Sequence, residues 1–159
     1  MKIKYLLYIP FFALSLNIGC SKEKADPIDT EYPVIDLSAA NASPKQCAVL
    51  KRGENLIFRA RLSDNVKLGS VNVDIHHNFD HHTHSTEVAS CQMEAIKTPV
   101  KPFLLIKSYP IEAGSKSYEI NQTIAIPSDI DAGDYHFMIR LTDTEGWQTI
   151  KGVSIKINN

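Results

Sequence analysis

The chain has 159 residues, about the size of a single domain, and 43% of them are hydrophobic, which is enough to form one buried core. Charged residues make up 22% and the formal net charge is -1, so the basic surface of a nucleic-acid-binding protein is not expected. With seven Gly, eight Pro and three Cys, the composition also excludes collagen, a disulfide-dense miniature protein and a low-complexity polymer.

The N-terminus has the pattern of a bacterial secretory signal. Lys2 and Lys4 precede an apolar run over residues 5–16, which is followed by small residues and Cys20. This run is too short to cross a bilayer as a helix. Residues 1–19 are therefore predicted to be a signal peptide, and Cys20 is predicted to be lipidated and to become the mature N-terminus. An unlipidated signal peptide is the alternative, because Asn17 stands where such signals usually have Leu.

The segment after the signal peptide predicts how the protein is attached to the membrane. Residues 20–31 are predicted to be the lipidated Cys and a short polar tether, and residues 32–159 the folded domain. We therefore expect an outer-membrane lipoprotein of a Gram-negative cell envelope, anchored in the outer-membrane lipid through acylated Cys20. The charged residues directly after Cys20 resemble signals that send some lipoproteins to the outer face of that membrane, which favours surface exposure.

Six stretches with an apolar residue at every second position predict β-strands. They are residues 34–37, 56–62, 70–76, 117–126, 135–141 and 151–158. No stretch keeps a helical period over three turns. Residues 87–111 include three prolines and are the least periodic, so they predict a long connection with one edge strand. The expected fold is all-β, an immunoglobulin-like antiparallel β-sandwich of about seven strands.

Two cysteines remain once Cys20 carries the lipid. Exported thiols tend to pair, so Cys47 and Cys91 are predicted to form a disulfide. The alternative is a Cys-His metal site, which would need a free thiolate.

Five of the six histidines lie between His76 and His84. Imidazole is the commonest side-chain ligand for zinc, copper and nickel, and carboxylates can complete such a site. In extended backbone a His-x-His pair places both rings on one side, so His82 and His84 can share an ion. His76 lies on the outward-facing side of its strand, and Asp80 is the predicted carboxylate ligand. His77, His81 and Glu87 are second choices.

The sixth histidine, His136, is distant in sequence. The segment Asp131-Ala132-Gly133-Asp134-Tyr135 resembles the tyrosine corner of immunoglobulin-like domains, which makes residues 135–141 the sixth strand of the sandwich and residues 70–76 the third. In that topology these two strands are antiparallel neighbours, so His76 and His136 are expected to lie close together on the outward face. His136 is therefore the fourth predicted metal ligand.

Two other interpretations of the histidines remain open. A His-rich loop can be solvated and mobile without binding anything, and clustered histidines can act as a pH sensor because they repel one another when protonated. Within the loop, Phe79 is expected to be a core anchor. For Asn78 and Asp80 the alternative interpretation is that they are turn-forming residues whose side chains bond the local backbone.

The stretch DIHHNFDHHTHS (residues 74–85), in a short exported lipoprotein with a β-sandwich ending, resembles the bacterial lipoproteins of the domain-of-unknown-function family 4625. The likeness covers roughly residues 32–158. Its most specific part is His76 with Asn78-Phe79-Asp80 and His82-Thr83-His84. The resemblance implies an immunoglobulin-like fold and a location in the envelope, and it supplies no reaction.

The leading functional hypothesis is a lipid-anchored envelope protein that binds a transition metal, or a metal-bearing ligand, through its His-rich loop. Zinc is the first choice of ion, and copper and nickel are alternatives; a neighbouring envelope transporter or receptor is the expected partner. The alternative is a non-catalytic surface module that binds protein or glycan, with any metal being structural. A metal-dependent hydrolase is the third hypothesis, with Asp80 or Glu87 as base. Because the chain has no HExxH helix, nucleophile elbow or phosphate-binding Gly loop, an enzyme is not expected.

Overall fold

A computed structural model describes residues 28–84, 86 and 91–159 of the chain, and its strands are connected by turns and loops. The predictions for the signal peptide, for Cys20 and for Glu87 lie outside the described residues. The strands in chain order are β1 (Val34–Asp36), β2 (Ala48–Lys51), β3 (Asn55–Ser63), β4 (Leu68–His77), β5 (Leu105–Pro110), β6 (Ser117–Ala125), β7 (Gly133–Asp143) and β8 (Gln148–Asn158).

The eight strands form two sheets that pack as a sandwich. One sheet has the order β1-β3-β6 and the other has the order β2-β8-β7-β4-β5. All pairings are antiparallel except that of β2 with β8, which is parallel. The predicted all-β sandwich is confirmed, and β5 is the edge strand expected within residues 87–111. The unpredicted strand is β2, which has only four residues and no alternation, and which forms because it pairs with the edge of β8.

Alternation along the strands builds the core between the sheets. In β3 every second residue from Leu56 to Leu62 is buried, as the apolar pattern predicts. Phe58 of β3 and Phe137 of β7 are both completely buried, and their ring centroids are 5.1 Å apart. Burial of such a side chain stabilises the fold by about 1.5–3 kcal/mol, so contacts of this kind hold the two sheets face to face.

The tyrosine corner predicted at the start of β7 is present. The Tyr135 hydroxyl donates a hydrogen bond to the Asp131 carbonyl oxygen at 2.6 Å and accepts one from the Phe103 backbone N–H at 3.1 Å. Tyr135 is 1% exposed. These two bonds fix the start of the strand that carries His136.

The predicted disulfide between Cys47 and Cys91 is also present, with 5.5 Å between the two Cα atoms. Cys47 directly precedes β2, and Cys91 lies in the connection between β4 and β5. The disulfide therefore links the connection that carries the histidines to the edge of the five-stranded sheet. The link lies beyond His84 on one side and directly before β2 on the other. Across the described residues, no helix is long and apolar enough to cross a membrane.

Candidate metal centre

Two imidazoles come from neighbouring strands of the five-stranded sheet. His76 lies near the end of β4 and His136 near the start of β7, and the antiparallel register makes their Cα atoms direct partners. Their ring centroids are 5.2 Å apart. The structure thus places these two residues side by side, as the tyrosine corner predicts.

The loop after β4 begins on a fixed base. The Asn78 backbone N–H donates to the Asp134 carbonyl oxygen at 2.8 Å, and the Lys97 backbone N–H donates to the Phe79 carbonyl oxygen at 3.0 Å. The Phe79 side chain is 2% exposed and meets the Tyr135 ring edge to face, with 5.3 Å between centroids. Phe79 is therefore the core anchor that the sequence predicts.

Beyond this base the loop folds back over the outer face of the sheet. His81 has a φ of 60°, which is uncommon for a residue other than Gly and reverses the direction of the chain. The His82 carbonyl oxygen then lies 3.2 Å from His136 Nε2 on β7. Because the loop covers it, His136 is completely buried although it belongs to the outward-facing set of its strand.

Four imidazoles converge in this region. One ring nitrogen from each lies within 4.8 Å of the other three, and we call this set the histidine cluster: His76, His82, His84 and His136. All six pairs of ring centroids are between 4.6 and 5.4 Å apart. Four points with nearly equal mutual distances form a nearly regular tetrahedron. The His76 and His84 Nε2 atoms approach to 3.1 Å.

Two carboxylates orient two of these rings. Asp74 Oδ1 is 2.8 Å from His76 Nδ1, and Asp80 Oδ1 is 2.6 Å from His82 Nδ1. The hydrogen bond from His82 lowers the pKa of the Asp80 carboxyl below its usual value. A carboxylate on Nδ1 holds hydrogen on that nitrogen and leaves Nε2 as the ligand atom. Asp80, predicted as a direct ligand, is placed by the structure beside His82 instead.

The two second-choice ligands within the described residues, His77 and His81, lie away from the histidine cluster. His77 has the opposite side-chain parity, and its ring lies 5.0 Å from that of Phe79. His81 Nε2 is 2.8 Å from the Glu94 carbonyl oxygen. Asp74 was not predicted as a site residue, although the sequence carries a signal for it, because Asp-x-His occurs three times, at Asp74–His76, at Asp80–His82 and at Asp134–His136.

Two cavities reach the histidine cluster from the surface. One of about 520 Å³ is lined by His82 and His84 together with Met93 and Lys156. The other, of about 410 Å³, is lined by His76 and His84, among others. The cluster is therefore covered by the loop yet open to small solutes from two sides.

Comparison with protein families identifies the class of this chain. The family model described as "Domain of unknown function (DUF4625)" matches residues 18–158. The chain belongs to this family, in agreement with the resemblance carried by the His-rich stretch. No curated protein sequence matches the chain significantly.

Among solved structures, the chain is similar to Spo0M, a sporulation control protein from Bacillus subtilis. The sequence identity is 10% and the TM-score is 0.42, and the match covers 80% of this chain and 49% of the other. The chain therefore spans about half the length of that structure.

Proposed function

We propose that this protein is a lipid-anchored cell-envelope protein that binds a transition-metal ion, with zinc as the first choice, through the histidine cluster. The observation that carries the proposal is the nearly regular tetrahedron of four imidazoles contributed by two strands and one loop. Imidazole nitrogen suits zinc, copper and nickel, whereas calcium and magnesium prefer oxygen ligands.

The dimensions of the histidine cluster support zinc. Structural zinc sites are tetrahedral with Zn–N bonds of about 2.0–2.1 Å, which separates the ligand nitrogens by roughly 3.3–3.4 Å. The nitrogens of the histidine cluster lie within 4.8 Å of one another, and one pair is already at 3.1 Å. Small rotations of the rings would thus bring all four into bonding distance.

The number of imidazoles favours binding over hydrolysis. Catalytic zinc sites use three protein ligands and keep the fourth position open for water. Four imidazoles fill a tetrahedral shell. A carrier or a metal-stabilised binding module fits this ligand set better than a hydrolase, and a neighbouring envelope transporter or receptor would deliver or accept the ion.

The carboxylates of Asp74 and Asp80 have a defined part in this proposal. Outer-shell carboxylates fix the orientation of a ligating imidazole and raise its basicity, and their loss typically weakens metal affinity 10–100-fold. Asp74→Asn and Asp80→Asn are therefore expected to weaken zinc binding by such a factor while all four imidazoles remain.

The main test is calorimetric titration of zinc into the full chain purified without an affinity tag. The parent should bind one ion per chain, and a His82→Ala, His84→Ala double variant should bind about 100-fold more weakly or worse, since it loses two direct ligands. His81→Asn is the matched control because it removes an imidazole of the same loop that lies outside the histidine cluster, and Asn tolerates the positive φ of that position. Lowering the pH from 7.5 to 5.5 should weaken binding, since a ligating imidazole must be neutral.

Absence of saturable zinc binding at neutral pH would refute the metal proposal. Equal zinc affinities in the parent and the double variant would show that the ion binds outside the histidine cluster. The proposed anchor is tested separately: Cys20→Ala should release the protein from the membrane fraction, and unchanged sedimentation with membranes would contradict the lipid anchor at that residue.

A further inference from the structure

A second cluster of ionisable side chains lies at the opposite end of β7. Asp143 ends β7, Asp64 follows β3 and Asp29 precedes β1, and one carboxylate oxygen from each lies within 4.8 Å of the other two. We call this set the aspartate cluster. Because His136 and Asp143 are seven residues apart on one strand, roughly 23 Å separates the two clusters.

The carboxylates of the aspartate cluster are buried, and each has an oxygen without a partner. Asp29, Asp64 and Asp143 are only 6%, 9% and 4% exposed. Asp29 Oδ2, Asp64 Oδ1 and Asp143 Oδ2 are inaccessible to solvent and make no hydrogen bond within the described part of the chain. Buried polar atoms in native proteins nearly always have a partner, so orphaned oxygens on three neighbouring carboxylates indicate a missing one.

The other oxygen of each carboxylate is fully engaged. Asp143 Oδ1 accepts three backbone N–H groups, Asp64 Oδ2 accepts two, and Asp29 Oδ1 accepts one backbone N–H and the Asn65 side-chain amide. Of these hydrogen bonds, those that Asp29 accepts from the Glu31 N–H and from Asn65 lower the pKa of its carboxyl. The hydrogen bonds also fix each side chain, so the orphaned oxygens are held in place.

Within the described part of the chain, no basic side chain compensates the negative charge of the aspartate cluster. Among residues 28–84, 86 and 91–159, no Lys, Arg or His forms an ion pair with any of its three members. Like charges buried together without a counter-ion are strongly unfavourable. A bound cation resolves both the charge and the three orphaned oxygens.

We propose that the aspartate cluster is a calcium site. Its ligand atoms are all oxygens, which excludes the soft and nitrogen-preferring metals assigned to the histidine cluster. Calcium accepts carboxylates in flexible geometry at 2.3–2.6 Å, whereas magnesium demands near-ideal octahedral geometry and usually binds only one or two carboxylates. The expected dissociation constant is in the range of extracellular calcium modules, about 0.1–1 mM.

Calcium at this position would join three separate parts of the chain. Asp29 belongs to the segment that enters the domain, while Asp64 directly follows β3 and Asp143 ends β7, two strands of opposite sheets. The indole N–H of Trp147 donates to the Asp29 carbonyl oxygen at 2.9 Å, and the Trp147 ring lies 5.0 Å from that of Tyr32. The bound ion would therefore fix the entering segment against the sandwich.

The single tryptophan of the chain offers a direct measurement. Trp147 bonds Asp143 through its backbone N–H and Asp29 through its indole, so terbium bound in the aspartate cluster should emit when the indole is excited. The full chain, stripped of metal, is titrated with terbium and then with calcium. Saturable emission that millimolar calcium reverses supports the proposal.

Variants test whether calcium binding depends on the aspartate cluster. Asp143→Asn keeps an oxygen for the three backbone N–H groups but removes one charge, so calcium affinity should fall at least 10-fold, and Asp64→Asn should behave in the same way. Asp129→Asn is the matched control, since that exposed carboxylate pairs with Lys101. Without calcium, both cluster variants should melt at or above the parent temperature, because they relieve buried repulsion.

Stability gives a second readout of the same equilibrium. Calcium at ten times its dissociation constant should raise the folded-to-unfolded ratio about 11-fold. The His82→Ala, His84→Ala variant should keep this response, so loss of the zinc site and loss of the calcium site are distinguishable. No saturable terbium emission, or an equal calcium response in Asp143→Asn, would overturn the proposal. Equal competition by magnesium would overturn the assignment to calcium.

Discussion

Two buried tyrosines give opposite predictions for the same substitution. Tyr135 is 1% exposed and its hydroxyl makes two hydrogen bonds, whereas Tyr109 is 3% exposed and its hydroxyl is buried without a partner in the described residues. Replacement by Phe removes only the hydroxyl oxygen and leaves the ring to pack. The two substitutions therefore isolate the hydrogen bonds from the hydrophobic contribution.

Tyr135→Phe should destabilise the fold. It leaves the buried Phe103 N–H without an acceptor, at a cost of about 1–3 kcal/mol, while the partly exposed Asp131 carbonyl can bind water instead. For a domain of this size that loss lowers the melting temperature by roughly 3–12 °C. Tyr109→Phe removes an unsatisfied polar atom, so the free energy of unfolding should stay unchanged or rise by up to about 2 kcal/mol.

Thermal and urea unfolding of the parent and the two variants measure these differences. The reasoning would be refuted if Tyr109→Phe lost as much stability as Tyr135→Phe, because the ring packing and not the hydrogen bonds would then explain the effect. A loss of zinc affinity in Tyr135→Phe without a loss of stability would show instead that the corner acts only on the position of His136.

The same tyrosines predict a pH dependence. Burial raises the pKa of Tyr109 and of Tyr135 above the usual value of 10.0. The unfolded chain then releases these protons first, so its proton count falls below that of the folded state as the pH rises past 10. The contribution of these tyrosines to the free energy of unfolding should be constant below pH 10 and should fall above it. The fall should be shallower in Tyr109→Phe. Melting temperatures between pH 8.5 and 11 check this slope.

Two further predictions concern the loop that carries His82 and His84. A Cys47→Ser, Cys91→Ser variant should lose about 4 kcal/mol of unfolding free energy, which is the chain-entropy value for a bridge between residues 44 apart; a urea titration indistinguishable from that of the parent would contradict it. In Gly133→Ala the new Cβ would lie 2.8 Å from the Phe79 ring, so it should cost about 1–3 kcal/mol more than Gly114→Ala, where φ is also positive but the space is open. Equal melting temperatures for these two Ala variants would show that Phe79 moves aside freely.

Several features of the histidine cluster could be predicted from local rules of sequence. Alternation assigned the faces of β4 and β7, and the tyrosine corner made the two strands neighbours, so the approach of His76 to His136 could be predicted although 60 residues separate them. The His-x-His spacing predicted that the rings of His82 and His84 lie on one side of the chain, and their centroids are 5.2 Å apart. These features depend on side-chain periodicity and on a motif with fixed hydrogen bonds.

The remaining features depend on properties that a single sequence does not display. The left-handed backbone conformation of His81 turns the loop back over the sheet. A His, unlike a Gly, does not indicate a positive φ in the sequence. Strand β2 is short, and it forms only through a parallel pairing with the distant β8. The members of the aspartate cluster each look like ordinary turn residues, and only the packing of two sheets brings them together.

The disulfide has a consequence for when the histidine cluster can exist. His76 and His136 are positioned by the sheet alone, whereas His82 and His84 are carried by a loop that is tied to β4 at its start and, through Cys91, to Cys47 beyond its end. In a reducing compartment the disulfide is absent, and the loop loses its full conformational entropy when it closes over the sheet. In an oxidising compartment much of that entropy is removed in advance. Thiol oxidation and assembly of the four imidazoles are thus thermodynamically linked, so under the proposed function a chain without the disulfide would bind metal less tightly than the oxidised protein.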